Sequence, residues 1–331
     1  WKGLRKQNKQ FHSKKSEIEG KEQLTKIIKV KFISKIKMKL DKEKILKAGK
    51  IASEVRENTR KFIKKGMPLL EIADKIESEM IKLGGKPAFP TCLSINEIAA
   101  HSTPSYDDKR VAEGILKIDM GVHIDGWIAD TAFSIDLENS EENKKLIIAS
   151  ENALESAIKT AKKNVKLSEI GKSIYDEINS LGFSPIINLS GHGIDRYELH
   201  ARVSIPNFEN KGKEIMEEGL YAIEPFATKG NGRIRDGKPS GIYRLEMEKN
   251  VRSPIAREVL KFIIKEYKTL PFCSRWLVKN LGSKALIGIK QLDENGNLHS
   301  YAELIESSGK NVSQSEHTIL VEKNEVIVTT K

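Results

Sequence analysis

The stretch that decides the fold is residues 116–131, LKIDMGVHIDGWIADT. It predicts a β-hairpin with a four-residue loop at 123–126, which sets Asp119 directly opposite Asp130 with Cβ atoms roughly 4.5 to 5.5 Å apart. Two facing carboxylates repel, and burial adds a desolvation penalty, so they must share a proton or hold a cation. A register slip of one residue would instead send the two acids to opposite faces of the sheet.

The composition is that of an ordinary globular protein with a sizeable core. The chain has 331 residues and is 38% hydrophobic. No run approaches the roughly 18 apolar residues that cross a bilayer, and no apolar segment with a cleavage site stands near residue 1. Cys92 and Cys273 lie far apart, which excludes a disulfide scaffold or a cysteine-based zinc site and predicts two core residues. We therefore predict a cytoplasmic protein with no membrane segment.

The net charge of +11 is concentrated at one end of the chain. Residues 1–40 hold 13 lysines and arginines against 3 glutamates, so residues 41–331 are nearly neutral. A basic extension of this kind is an arm that binds RNA or the ribosome, a solvated arm, or a stretch outside the native product, for which Met38 would be a natural start. Its segment 24–40 is apolar enough to form a short helix.

Helical periodicity predicts four longer helices in the first half of the chain. The first follows an N-cap at Asp41 and stops before a Gly-Met-Pro sequence. The second ends at the glycine pair 84–85. The third and fourth cover about 142–163 and 168–181. Short extended segments lie between and after these helices.

The remaining pattern predicts an α+β domain, with mainly antiparallel strands and helices packed outside them. Three short helices are predicted in an insert at about 242–300, and the sequence ends in an alternating hairpin. The segments EGILKID at 113–119 and EGLYAIE at 218–224 form a faint internal repeat. Each segment begins a strand that ends in a carboxylate. A histidine precedes each segment, His101 or His192, and a second acid follows it, Asp130 or Glu316. The repeat predicts a pseudo-twofold domain with its site at the joint.

Three further residues join the two hairpin acids as candidate metal ligands. His192 lies in SGHGID, where the flanking glycines permit a close approach, and Glu224 ends an apolar strand in AIEPF. Glu316 begins another apolar strand. Together with Asp119 and Asp130 they provide oxygen and imidazole donors without thiolates, which suits two divalent ions such as Co, Mn, Fe or Zn. Such a pair of ions predicts a hydrolytic site.

In this order and in these contexts, the five residues resemble the ligands of the methionine aminopeptidases. The helical insert between IEPF and EHT, and the segment GGKPAFPTCLSINEIAAHSTP, resemble the type II enzymes. Ile242 stands where eukaryotic type II enzymes typically have histidine, so the chain is similar to the archaeal branch. The resemblance covers residues 41–331. It implies a pita-bread (creatinase/aminopeptidase) fold, a pseudo-twofold antiparallel sheet with helices outside, plus a winged-helix-like helical insert.

The resemblance implies a metal-dependent methionyl aminopeptidase. Such enzymes remove the initiator methionine from nascent chains and peptides with a small second residue, through attack of a water activated by two metals on the peptide carbonyl. It implies that Asp130 and Glu316 bridge both ions, that Asp119 completes one, and that His192 and Glu224 complete the other. Glu224 would also handle the proton of the water. Monomers are usual in the family.

The resemblance also implies substrate contacts. His101 would contact the scissile amide, and His200 would lie on the side of the substrate carbonyl. The pocket for the methionine side chain would be formed by four residues, namely Phe89, Leu199, Ile242 and Pro271.

Three alternatives remain at this point. A prolidase or aminopeptidase P shares the fold and metals but normally carries a large extra N-terminal domain. The 40-residue basic extension is too short to supply such a domain. A catalytically silent pita-bread protein that binds RNA or ribosomes would fit the basic extension and the insert, although such proteins lose metal ligands. From the residues alone, a two-metal hydrolase with another substrate stays open.

Overall fold

The computed structural model describes residues 40–331, so the predicted basic extension lies outside the described residues except for its last position. The first helix begins where its N-cap was expected, because the Asp41 carboxylate accepts a hydrogen bond from the backbone N–H of Lys44 at 3.2 Å. The helices are α1 Lys42–Phe62, α2 Leu69–Lys82, α3 Glu141–Thr160, α4 Leu167–Ser180, α5 Pro254–Glu266, α6 Ser274–Leu281 and α7 Lys284–Glu294.

The strands pair in antiparallel fashion throughout the part of the chain that the structure describes. They are β1 Lys86–Pro87, β2 Cys92–Ile95, β3 Ile98–Ala100, β4 Ile115–Ile124, β5 Trp127–Asp136, β6 Ser184–Pro185, β7 Ser190–Asp195, β8 Glu198–Pro206, β9 Gly219–Ile223, β10 Phe226–Thr228, β11 Ile234–Leu245, β12 Phe272–Cys273, β13 Leu298–Glu306, β14 Val312–Gln314, β15 Glu316–Val321 and β16 Val326–Val328. The main sheet has the order β1-β4-β5-β15-β9-β7-β8, with β2 on β4 and β16 on β15.

The main sheet is built from two similar halves. Helices α1 and α2 pack on β4 and β5 to form one apolar core, and α3 and α4 pack on β9 and β15 to form another. Helices α2 and α4 are both 14 residues long, and each is followed by Leu-Gly and a two-residue strand that ends in proline. This arrangement confirms the pseudo-twofold plan, with β5 and β15 adjacent at the joint.

The hairpin of β4 and β5 differs from the predicted register. Its loop is the two-residue turn 125–126, in which both residues have positive φ, as a type I′ turn requires. Asp119 therefore pairs with Ala132 and Asp130 pairs with Gly121, so the four-residue loop and the directly opposed acids were wrong. The error is two residues, an even number. Asp119 and Asp130 consequently remain on one face, as diagonal neighbours within reach of each other.

The predicted helical region at 242–300 contains α5, α6 and α7, framed by strands. These strands form a second sheet of order β12-β11-β13-β3, and Ile242 lies in β11 rather than in a helix. The three helices share an apolar core with the strands, centred on Phe272, Trp276 and Leu298. Because β3 directly precedes His101 in the chain, this second sheet also borders the cavity described below.

A buried ion pair joins the helical region to the rest of the protein. Arg275 is 3% exposed and donates two hydrogen bonds of 2.8 Å to the carboxylate of Glu77 in α2. The indole Nε1 of Trp276 also donates to this carboxylate, at 2.7 Å. The same carboxylate accepts from the backbone N–H of Thr91, and Arg275 Nε donates to the carbonyl of Pro104. The Arg275–Glu77 pair therefore connects α6 and α2 with the segment before β2 and the segment after β3.

Replacing Arg275 by methionine is expected to lower the free energy of unfolding by about 3 to 5 kcal/mol, because the carboxylate of Glu77 stays buried without its cationic partner. Lys284→Met is the matched control, since the Lys284–Glu258 pair is about half exposed and is expected to contribute less than about 1 kcal/mol. Urea denaturation measures both values. Equal effects would show that the buried pair does not hold the helical region in place.

Candidate metal centre

One cavity of about 270 Å³ collects the residues that the sequence singled out. It is enclosed by the main sheet on one side and by β3, β11 and β13 on the other. The structure places all eleven candidate residues around it, namely Phe89, His101, Asp119, Asp130, His192, Leu199, His200, Glu224, Ile242, Pro271 and Glu316. Residues that are far apart in the chain thus meet at a single site, while their individual roles remain predictions.

The five candidate ligands come from neighbouring strands across the joint between the two halves. Asp119 lies in β4, Asp130 in β5, Glu316 at the first position of β15, and His192 in β7. Glu224 follows the last residue of β9 directly. Because β4, β5, β15, β9 and β7 are adjacent in this order, side chains on one face of the sheet converge.

The closest donors lie at distances that suit a shared cation. His192 Nε2 is 3.4 Å from Glu224 Oε1 and 3.7 Å from Asp130 Oδ2. One ligand atom from each of Asp130, His192 and Glu316 lies within 4.8 Å of the others. All three residues are buried, with Glu316 only 1% exposed. The arrangement therefore surrounds a small space with oxygen and nitrogen donors that have little access to bulk water.

Burial changes the protonation of this cluster in the metal-free protein. It raises the pKa of Asp119 to about 7, and together with the neighbouring carboxylates it raises the pKa of Asp130, Glu224 and Glu316 well above the ordinary values. Burial lowers the pKa of His192 to about 4, so its imidazole is neutral, which is the form that binds metals. The acids must therefore take up protons unless cations neutralise them.

The unsatisfied oxygens of the cluster fit a divalent cation. Asp119 Oδ1 and Asp130 Oδ1 are buried and have no hydrogen-bond partner among residues 40–331. A buried polar atom without a partner is unfavourable, and a coordinated cation would satisfy both oxygens. The other Asp119 oxygen accepts a hydrogen bond from Gln314 Nε2 at 3.3 Å, and His192 Nδ1 lies 3.2 Å from the carbonyl of Gly193. These contacts orient the two candidate ligands, as contacts behind the ligands of a metal site usually do.

The two further candidate histidines border the same cavity. His101 directly follows β3 and has a φ of 61°, a strained conformation for a residue other than glycine. Its ring packs edge-on against Tyr301, with ring centroids 5.3 Å apart. His200 packs edge-on against His192, with ring centroids 4.5 Å apart, and its side chain also reaches solvent at the mouth of the cavity. Desolvation lowers the pKa of both His101 and His200, so each imidazole is neutral near pH 7.

The apolar wall of the cavity is formed by the four residues predicted as the methionine pocket. Phe89, Leu199 and Ile242 are buried, and Pro271 completes this wall. The ring of Phe89 lies against β4, where a Cβ atom at Gly121 would be 2.2 Å from Phe89 Cε1. Glycine at this position is therefore what lets the aromatic ring approach the hairpin.

Sequence reasoning missed several residues of the site. Tyr301 lines the cavity and contacts His101, but no local pattern around it marks a functional residue. Gln314 stands two residues before Glu316, and the two-residue period of strands is a signal that would have placed it beside the ligands. Cys92 was predicted as a core residue. It is buried as expected, and it also forms part of the cavity floor.

Asp119→Asn is expected to weaken binding of Mn²⁺ or Co²⁺ by at least about tenfold, because an amide replaces a buried anionic ligand. Asp125→Asn in the same hairpin is the matched control. Asp125 is a turn residue with φ of 49°, a conformation that asparagine also tolerates, and its carboxylate contacts Lys44 and Arg196 instead of the cavity. Isothermal titration of the metal-free variants measures both affinities. Equal losses would remove Asp119 from the set of ligands.

The stability of the metal-free protein is expected to fall between about pH 6.5 and about pH 8, a range in which the buried histidines are neutral in both the folded and the unfolded chain. The folded state holds a proton on Asp119 up to about pH 7, whereas an aspartate in the unfolded chain releases it near its ordinary pKa of 3.8. This stabilisation is therefore lost as the pH rises through the folded-state pKa, and a saturating divalent metal should abolish the loss. Urea denaturation with chelator and with Mn²⁺ measures it. Metal-free protein that is equally stable at both pH values would contradict the buried acid cluster.

Comparison with known proteins assigns the family. Metallopeptidase family M24 matches residues 43–322. A methionine aminopeptidase of Pyrococcus horikoshii is 48% identical over 297 residues, which cover 88% of this chain and 100% of that protein. A methionine aminopeptidase of Methanocaldococcus jannaschii is 45% identical over 292 residues, which cover 87% of this chain and 98% of that protein.

The solved structures agree on the fold. The crystal structure of methionine aminopeptidase from Thermotoga maritima superposes with a TM-score of 0.65 and 25% identity, over 89% of this chain and 99% of that chain. A thermophilic Arx1 superposes with a TM-score of 0.77 at 16% identity, over 87% of this chain and 89% of that chain, a likeness of fold alone. The α+β architecture is thus the pita-bread fold. The chain belongs to metallopeptidase family M24 and, within it, to the archaeal type of methionine aminopeptidase.

Proposed function

We propose that this chain is a metal-dependent methionyl aminopeptidase that removes the N-terminal methionine from nascent proteins and peptides with a small second residue. The observation that carries the proposal is the buried cluster of four carboxylates and one neutral imidazole beside an apolar wall. Relatives that are 44 to 48% identical over nearly their whole length are methionine aminopeptidases, which gives the cluster its substrate class.

The proposed ligands are Asp119, Asp130, His192, Glu224 and Glu316, which would hold two divalent ions, drawn from Co, Mn, Fe or Zn. Ions bound here would polarise the scissile carbonyl and lower the pKa of a water molecule. Glu224 is the residue proposed to carry the proton. Its Oε1 atom faces the cavity, and its side chain is 15% exposed, compared with 5% for Asp130, so it can exchange a proton with substrate. The proton would pass from the attacking water to the leaving amine.

The remaining residues of the cavity would bind and orient the peptide. The neutral imidazoles of His101 and His200 can donate or accept hydrogen bonds at the scissile amide and its carbonyl without introducing a charge. Phe89, Leu199 and Ile242 would exclude water around the methionine side chain. An unbranched thioether fits an irregular apolar wall of this kind well.

The other predictions concern partners and location. The silent RNA- or ribosome-binding alternative is not favoured, because the five candidate ligands are present and converge. Ribosome contact through residues 1–40 remains a proposal that rests on their charge. None of the helices between residues 40 and 331 is long and apolar enough to cross a membrane. The cytoplasmic location, the monomeric state, and the division at residue 40 with its insert at about 242–300 also remain predictions.

The purified chain, loaded with Mn²⁺ or Co²⁺, is expected to release methionine from Met-Gly-Met-Met and not from Met-Lys-Met-Met, because the lysine side chain is too large for a small-residue site. Excess chelator should stop the reaction. Glu224→Gln is expected to lower kcat by at least about 100-fold, as the loss of a general base does, while Asp125→Asn should retain activity. Metal-loaded protein that leaves Met-Gly-Met-Met intact would refute the proposed activity.

A further inference from the structure

The strained backbone of His101 requires an explanation in its surroundings. Its φ of 61° lies in the left-handed region, which residues other than glycine occupy only where neighbouring contacts enforce it. The ring of His101 projects into the cavity and touches Tyr301. Whatever fixes the next residue of the chain therefore also fixes the direction of this ring.

That next residue, Ser102, is completely buried and is held from two sides. Its Oγ donates a hydrogen bond to Glu303 Oε1 at 2.9 Å and accepts one from Arg110 Nη1 at 2.9 Å. Its backbone carbonyl accepts from the N–H of Leu93 at 2.6 Å. Both the side chain and the main chain of Ser102 are thereby fixed, and the hydroxyl uses a donor and an acceptor position at once.

The two charged partners of Ser102 belong to a network in which Glu303 is buried and Arg110 is partly exposed. Glu303 is 3% exposed and lies 3.5 Å from Arg110 Nη1 and 3.8 Å from Lys238 Nζ. Arg110 also donates to both carboxylate oxygens of Asp108, with its closest contact at 2.7 Å. The buried carboxylate of Glu303 holds its contacts with Ser102 and Arg110, because breaking them leaves a buried charge without a partner. The network is thus a rigid support for the hydroxyl of Ser102.

Strand β13 contacts the His101 segment through three of its residues. Leu304 pairs with Ala100 before the histidine, Tyr301 contacts the ring, and Glu303 holds the residue after it. A general contribution to stability would not require contacts on each side of a single strained residue. The concentration of support at this position points to a role in orienting the imidazole.

We propose that Glu303 and Arg110, acting through Ser102, are positioning residues that aim the His101 imidazole at the substrate. This inference rests on the proposed aminopeptidase function. None of the three residues lines the cavity, and we expect them to act on the reaction through His101. If the network only stabilised the fold, its loss would affect activity independently of His101.

A double-mutant cycle separates these two roles. Ser102→Ala is expected to lower kcat for Met-Gly-Met-Met by about tenfold, with little change in KM, because a misplaced catalytic contact mainly affects the transition state. In a His101→Ala background the same change should cause no further loss, because there is no ring left to position. Ser105→Ala, on the same loop but exposed and bonded to Asp107, is the matched control and should behave as the unchanged protein.

Several outcomes would overturn the proposal. One is full activity of Ser102→Ala, and another is full activity of His101→Ala. A third is a double variant whose fold-loss in kcat equals the product of the two single losses. Unfolding midpoints and metal content are measured for every variant. If Ser102→Ala does not fold, Glu303→Gln carries the test, because it keeps an acceptor for the Ser102 hydroxyl but removes the charge. It should show a smaller loss that again disappears in the His101→Ala background.

A second readout does not depend on aminopeptidase activity. In protein labelled at histidine, the imidazole signals of His101 are assigned with His101→Ala and followed by NMR. They should shift or split in Ser102→Ala and stay unchanged in Ser105→Ala. Unchanged signals in Ser102→Ala would overturn the positioning role even if the peptide assay failed. Absence of peptide cleavage by the unchanged protein, together with shifted signals, would count against the proposed function alone.

Discussion

The structure depends on holding four mutually repelling carboxylates around one small cavity. Without cations, the cluster must take up protons, as the raised pKa of Asp119 and its neighbours shows. Repulsion of this kind would open a loosely held site. Here four of the candidate ligands lie on strands of one continuous sheet and Glu224 directly follows another, and two apolar cores, one behind each half, hold the sheet together. The rigid sheet maintains the donors in place, and divalent cations bound among them would make their proximity favourable.

The face on which the acids lie was predictable from the sequence, whereas their pairing was not. The alternation of β4 and β5 fixes which residues point into the cavity, and an error of two residues leaves that face unchanged. The pairing depends on the turn, and the Asp-Gly sequence at 125–126 is a strong signal for a two-residue loop. A prediction that placed the two-residue turn at this Asp-Gly sequence, in place of the four-residue loop, would have matched the observed register.

The surroundings of the ligands were much less predictable, because they depend on contacts between distant parts of the chain. Ile242 was placed at the start of a helical insert, yet it lies in β11, whose partner β13 is some 60 residues further along. Glu77 and Arg275 look like ordinary helical surface charges in the sequence, and only the tertiary structure buries them together. Local patterns identify the residues that do chemistry. The residues that hold them are determined by packing, which a single sequence does not display.

The arrangement of the ligands across the joint between the halves has a consequence for synthesis. Asp119 and Asp130 leave the ribosome long before Glu316, which follows Asp119 by about 200 residues. The first half can bury its own apolar core early, but it then carries two acids whose partners do not yet exist. If these residues bind metal as proposed, loading would be a late event, because the set of candidate ligands is complete only when β15 inserts between β5 and β9. A chain that stalls before this strand would fold in part and would lack a complete set of ligands.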